Sequence, residues 1–440
     1  MCALVLASLG VLAVLPYLPA LTLPFISDDY LQIDLARQYG PVSGWPALAS
    51  DPLYRARATS LVVTYWTERL FGFWPLPFLL SSLLLHVVNT WMLYALSRRL
   101  GLAILPSALA AAFFAVYEGH QEAVIWYAAV HELLVFFFAT ATLLAWLRFC
   151  VSSRWRDYAL ALCCFLLALL SKESAVAIVP LLVLLAPEPR RAWRTALPFA
   201  AAAVVYFGLA YAGRESHQHF SDGTFSLAAP FWITIRNSIG RLLWIWGALA
   251  LAGLLVWRDK ARNRTLAIAA AWVLVFLLPY SFLTYMPRIP SRHTYLASAG
   301  LAWIVACGFL AFSRRFQTFR WSTYALGAVI VLHNVGWIWF HKHEQYRERA
   351  EPTEVLVELA RAGAPVRVGC FPYNEGIARL AVEMRLGDSA GEIIWAPAHD
   401  SFTRECLSVE RPAARLDRSG GSEKDSEWTM KPQPAALILQ

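Results

Sequence analysis

The chain has 440 residues, of which 58% are hydrophobic, 14% aromatic and only 15% charged. Soluble domains carry about 25% charged residues, so this composition excludes a soluble globular enzyme, a disordered chain and a disulfide-stapled secreted domain, and describes a polytopic membrane protein. The formal charge of +8, from 38 Lys and Arg against 30 Asp and Glu, is either a polyanion-binding surface or a topology signal, and its placement decides which.

A membrane-crossing helix needs about 20 mostly apolar residues. Eleven stretches qualify, at 3–23, 77–97, 102–117, 132–149, 158–171, 174–187, 195–212, 231–256, 265–283, 294–312 and 321–340. The first lacks a basic leader and a small-residue cleavage site, so it reads as a retained anchor. With the N-terminus inside, five alternate loops face the cytoplasm. They hold fifteen Arg and Lys (from Arg98 and Arg99 through Arg320) against Asp157, Glu188 and Asp259, a net of +12. Cytoplasmic loops accumulate Lys and Arg, so the basic excess is a topology signal and no nucleic-acid partner is implied. An odd number of spans places the tail after residue 340 outside, and that tail is net −3.

Outside the spans, the first external loop (24–76) carries helical patterns over Asp28–Tyr39, with Ser27 as N-cap, and Thr59–Phe71. The tail predicts a small α/β unit over 341–407. It has helices at Glu351–Ala362, stopped by Gly363, and Asn374–Leu386, with short strands at Val366–Cys370 and Glu392–Trp395. A polar end, 408–440, reads as disordered. Cys2, Cys150, Cys163, Cys164 and Cys307 lie in or beside spans, where thiols act as small hydrophobes. Cys370 and Cys406 share the external tail, where an oxidising compartment permits a bridge that no spacing enforces.

Several constellations can carry chemistry, and each has a bland alternative. Asp28-Asp29, directly after the first span, is either a solvated helix start or a pair in which one carboxyl serves as general base. The loop Tyr117–Glu132 brings His120, Glu122, His131 and Glu132 to the outer face. They are interfacial polar residues beside Trp126 and Tyr127, or functional groups at membrane depth. In Ser171-Lys172-Glu173 the Lys and Glu either pair with each other or Lys172 faces an anionic ligand. Arg288, Arg292 and His293 stand outside, against the positive-inside trend; they are solvated, or they bind an anion such as a lipid phosphate. The loop with Arg214, His217 and His219 reads as a solvated basic patch. No metal-ligand spacing occurs.

The order of these motifs resembles the membrane-embedded GT-C glycosyltransferases. It is most similar to bacterial relatives of the protein O-mannosyltransferase group that often carry tetratricopeptide tails; no such tail follows here. The family's acidic pair after the first span resembles Asp28-Asp29, and its Tyr-Arg-Pro element resembles Tyr54-Arg55-Ala56. Its Leu-His-x-x-Asn span is similar to Leu85–Asn89. His-Pro-x-His-x-Glu-Ala-Val-x-Trp corresponds to Tyr117–Trp126, with Tyr117-Glu118 replacing His-Pro. Ser171-Lys172-Glu173 matches its Ser-Lys-Glu turn, and Arg292–Gly300 its Arg-Tyr-x-Tyr-Leu-Pro-Ser-Ala-Gly.

The resemblance covers residues 20–305. It implies an all-α polytopic GT-C fold with about eleven transmembrane helices and a small extracytoplasmic α/β tail. The implied reaction is an inverting transfer of a hexose or pentose from a polyprenyl-phosphate donor to a periplasmic glycan, lipid or protein hydroxyl, in a bacterial inner membrane. By resemblance one acid of the pair, preferably Asp28, is the base, with Asp29 orienting or binding. Lys172, Arg292, Arg288 and His293 hold the donor phosphate. Tyr54, Arg55, His120, Glu122, His131, Glu132, Glu173 and Tyr295 complete the substrate-binding set. No cofactor is required, although an acidic pair at Asp28 and Asp29 leaves room for a divalent metal. The rivals are a transporter or flippase of an anionic or lipid-linked substrate, and a non-catalytic scaffold. Transporters gather their binding groups near the midplane within repeats, whereas here they gather at one face and no paired halves are evident.

Overall fold

The computed structural model describes residues 2–221, 223–256, 263–284, 290–316, 320–363, 365–395 and 408–410. The chain divides into two compact units, one comprising Met1–Thr22 with Ala36–His343 and the other Leu23–Leu35 with Glu344–Gln440.

The larger unit is helical, and each of the eleven apolar stretches contains a helix. Among the described residues five helices are long and apolar enough to cross a membrane, and the pair Pro189–Thr195 and Leu197–Ala212, bent by 50°, makes a sixth if taken as one span. Shorter apolar helices lie at Ala3–Tyr17, Ile104–Val116 and Glu173–Leu184. The expected first span is a helix over Cys2–Val14 followed by two 3-10 turns around Pro16 and Pro19, as prolines without an N–H require.

Lipid gives apolar helices no reason to seek each other, so small residues and hydrogen bonds set their packing. The Ser298–Arg315 helix shows both. A Cβ at Gly300 would stand 2.6 Å from the Ala269 carbonyl oxygen, and one at Gly308 would stand 2.8 Å from the Ala250 Cα. The indole of Trp303 donates to Ser97 Oγ at 2.8 Å, and that of Trp272 to the Leu296 carbonyl at 2.7 Å. Gly308→Val forces these backbones apart. An overpacked core site costs about 1–3 kcal/mol, so the variant is expected to show a lowered melting midpoint in detergent, and an unchanged midpoint would contradict this packing.

The smaller unit folds much as its patterns predict. A three-stranded sheet runs in the order β2-β1-β3, with β1 at Val366–Cys370, β2 at Ile393–Trp395 and β3 at Ser408–Glu410. Strands β1 and β2 are parallel, with Val366 opposite Ile393, and their crossover carries the Glu375–Leu386 helix. Asn374 caps that helix by accepting from the Gly376 N–H at 2.7 Å. Gly363 sits at φ +74°, ending the His343–Arg361 helix in the left-handed conformation glycine tolerates. Strand β3 pairs antiparallel to β1 and belongs to the stretch expected to be a polar end. The rest of that end, and Cys406 of the expected cysteine pair, lie outside the described residues.

Candidate active site

In the larger unit, four breaks between helices bring ionisable groups together. The first is the turn Tyr127–Ala129, after which the Val130–Ser152 helix begins with His131 and Glu132 in its first turn. The second follows the Trp155–Leu169 helix, where Lys172 is fully extended at φ −168° and ψ 147° before the 3-10 turn Glu173–Ala177. The others are the 3-10 turns Pro279–Phe282 and Ser291–Thr294.

Glu132 is the hub and has no solvent exposure. One carboxylate oxygen takes the Lys172 ammonium directly and lies 2.5 Å from His293 Nδ1. The other accepts from the Tyr280 hydroxyl at 3.1 Å, and the same hydroxyl lies 3.0 Å from Ser174 Oγ. Lys172 Nζ is 3.0 Å from His293 Nδ1 and 4.9 Å from the centre of the Tyr280 ring. The His293 and Tyr280 rings stack at 4.5 Å. Burial, reinforced by Lys172 and Arg292, holds His293 well below the usual imidazole range, so its Nδ1 either donates to Glu132 or accepts from Lys172. Burial also draws the Lys172 ammonium down to about 8, against the opposing pull of Glu132.

A second carboxylate anchors the adjoining residues. Glu122 takes the Arg292 guanidinium, the Ser291 hydroxyl at 2.8 Å and the Arg292 backbone N–H at 3.2 Å. Arg292 also lies over the Trp126 ring at 5.0 Å. Neighbouring residues 292 and 293 therefore tie Glu122 and Glu132 into one polar body. Arg57 NH1 binds Glu173 Oε2 at 2.8 Å beside it. His131, half-buried, lies within electrostatic reach of Arg57, Lys172 and Glu132.

The remaining expected residues are placed differently. Tyr295 is fully buried, its hydroxyl 2.8 Å from His86 Nδ1 and 3.3 Å from Asn89 Nδ2. His120, also fully buried, lies 2.6 Å from Ser298 Oγ and packs on Phe114 and Tyr295 at 4.4 and 4.5 Å. Both residues brace the helical core around the polar body. Tyr54 packs near Tyr39 at 6.2 Å, and Arg55 donates to the Leu209 carbonyl at 2.6 Å. Glu118, where the family pattern has proline, is pushed up to about 7 by burial, and its backbone N–H donates to Asn334 at 2.9 Å. Arg288 lies outside the described residues.

Two local expectations change, and four further residues join the cluster. Lys172 and Glu173 do not pair; an extended residue sends consecutive side chains to opposite sides, so Lys172 meets Glu132 while Glu173 meets Arg57. The loop holding Arg214, His217 and His219 is not wholly solvated, because His217 is 4% exposed and is held below its usual range by burial. Arg57, Tyr280, Ser174 and Ser291 carry no family signature and were not expected at the site.

The smaller unit holds the acidic pair. Asp28 opens the Asp28–Tyr39 helix after Ser27, whose φ is +46°. Adjacent helical residues point about 100° apart, and the two carboxylates have different surroundings. Asp29 is 2% exposed and accepts from the Ile26 backbone N–H at 2.9 Å. Asp28 is half-buried and accepts from Ser27 Oγ at 3.2 Å.

The larger unit thus buries cations organised by two carboxylates, and the smaller unit carries the paired acids at a helix start. Residues 62–211 match the family model described as dolichyl-phosphate-mannose-protein mannosyltransferase. The fold is similar to that of ArnT from Cupriavidus metallidurans in the apo state, at 14% identity and a TM-score of 0.53 over 90% of this chain and 87% of that one. The same protein bound to undecaprenyl phosphate gives 13% identity and a TM-score of 0.53 over 90% and 86%. No curated protein matches the chain. The fold is thus the GT-C fold, carried by a chain with several helices long and apolar enough to cross a membrane.

Proposed function

We propose that this protein transfers a sugar from a polyprenyl-phosphate donor to an acceptor hydroxyl at the outer face of a bacterial inner membrane, with its N-terminus cytoplasmic and its C-terminal tail periplasmic. The observation that carries the reading is the gathering of Glu122, Glu132, Lys172, Arg292 and His293 inside an apolar helical body with the GT-C fold. Ionisable groups at membrane depth mark substrate paths. A polyprenyl-phosphate donor is supported by ArnT from C. metallidurans, solved bound to undecaprenyl phosphate.

In this reading Asp28 takes the proton of the acceptor hydroxyl. The oxygen attacks the anomeric carbon from the face opposite the phosphate, the bond from that carbon to the phosphate oxygen breaks, and the sugar inverts. The donor is a phosphodiester with one negative charge and leaves as a monoester that gains another. Lys172 and Arg292, with His293 and Arg288 as further donors, stabilise that added charge. Their carboxylate partners hold both cations in place before the donor arrives. Asp29 orients the helix start. The sugar is a hexose or pentose, and the acceptor a glycan, lipid or protein. The chemistry requires no metal; a divalent ion, were one used, belongs at Asp28 and Asp29.

The test is purified protein incubated with a polyprenyl-phosphate sugar and a panel of acceptors, following release of polyprenyl phosphate. Release by the wild type supports transfer; binding of the donor without release would favour a carrier instead. Labelling of single cysteines introduced near residues 30 and 292 checks the topology, and protection of both from external reagents would overturn it.

A further inference from the structure

Residues 23–35 form one compact unit with the C-terminal residues from 344 onward, more than 300 positions later. The contact is specific. Tyr30, two residues after Asp28, is fully buried, with its ring 5.7 Å from that of Phe25. Arg385, near the end of the Glu375–Leu386 helix, reaches its hydroxyl at 3.5 Å with NH1. The same guanidinium is held by Glu354 of the His343–Arg361 helix in a two-pronged pair, at 2.9 and 3.3 Å. A fork-to-fork pair fixes direction as well as distance. Tyr373 donates to the Arg349 carbonyl at 2.5 Å and feels the Asp28 charge. Three separate pieces of the C-terminal unit thus bear on the first turn and a half of the acidic-pair helix.

We infer that the Glu354–Arg385 pair is a positioning latch, which holds Tyr30 and thereby sets the direction in which Asp28 points. The inference rests on Asp28 being the base only for its effect on rate; the latch itself is a statement about the helix. It also gives the C-terminal unit a role, that of completing the acidic site rather than merely decorating the chain's end.

The experiment compares full-length wild type with Arg385→Ala, Arg385→Lys, Tyr30→Phe, the exchanged pair Arg385→Glu with Glu354→Arg, and Asp28→Asn. Hydrogen exchange over residues 28–35 and donor turnover are both measured. Arg385→Ala is expected to lower protection over 28–35 at least tenfold and to cut kcat about tenfold with donor KM within twofold; the exchanged pair recovers most of both. Tyr30→Phe loses less and covers the case in which Arg385→Ala does not fold. Unchanged protection in Arg385→Ala and Tyr30→Phe overturns the latch whatever turnover does. If Asp28→Asn keeps full turnover while Arg385→Ala loses protection, the base assignment falls and the latch stands.

Discussion

Asp28→Asn is expected to lower donor turnover about 100-fold or more while leaving donor binding within a few-fold of wild type. A positioned general base contributes roughly 10²–10⁴ in rate, and asparagine keeps the size of the side chain while removing its ability to take a proton. Asp29→Asn should behave differently. Its Oδ2 already accepts the Ile26 N–H at 2.9 Å, and the residue is 2% exposed. The amide oxygen can keep that bond, so the helix start survives and turnover falls by about tenfold or less, the size of one charge-assisted bond weakened to a neutral one. The measurement is single-turnover release of polyprenyl phosphate with saturating donor. Reversed ranking would make Asp29 the base, and wild-type rates in both variants would sink the carboxylate mechanism altogether.

The helical frame and the partners inside it were not equally legible in the sequence. Apolar runs report a membrane helix because lipid imposes one simple demand on each residue in turn. The helices Asp28–Tyr39 and Glu375–Leu386 and the strand Val366–Cys370 were likewise visible in local pattern and caps. Lys172, Glu132 and His293 stood out singly as charges out of place, but their convergence was not visible. Lys172 meets Glu132 across 40 positions and His293 across 121, and no local rule couples turns so far apart. Arg57 illustrates the same limit: two residues from the expected Arg55, it is the one that reaches Glu173, 116 positions away. His120 and Tyr295 are legible as unusual residues, but their packing with each other and with Phe114, Phe136 and His86 joins positions too far apart for any local pattern to show.

Lys172 carries the largest combined expectation, because its removal touches both the fold and the reaction. Lys172→Met strands the Glu132 carboxylate in an unexposed position, and breaking a buried pair from one side costs about 3–5 kcal/mol. Adding Glu132→Gln removes the stranded charge, so the double variant should regain most of the lost stability in a detergent melt. Activity should not return with it. The ammonium is needed for the charge that grows on the departing phosphate, and loss of one such donor costs about 10²–10³ in rate. The pH profile separates this role from packing. Because burial brings Lys172 down to about 8, raising the pH through that value strips its proton, and kcat/KM, which reports the free enzyme, falls on the alkaline side. Lys172→Arg keeps its charge throughout this range, so its profile should stay level where the wild type declines, even if its absolute rate is lower. A wild-type profile that remains flat well above that value would remove Lys172 from the phosphate site. An alkaline decline that persists in Lys172→Arg would assign the titration to another group.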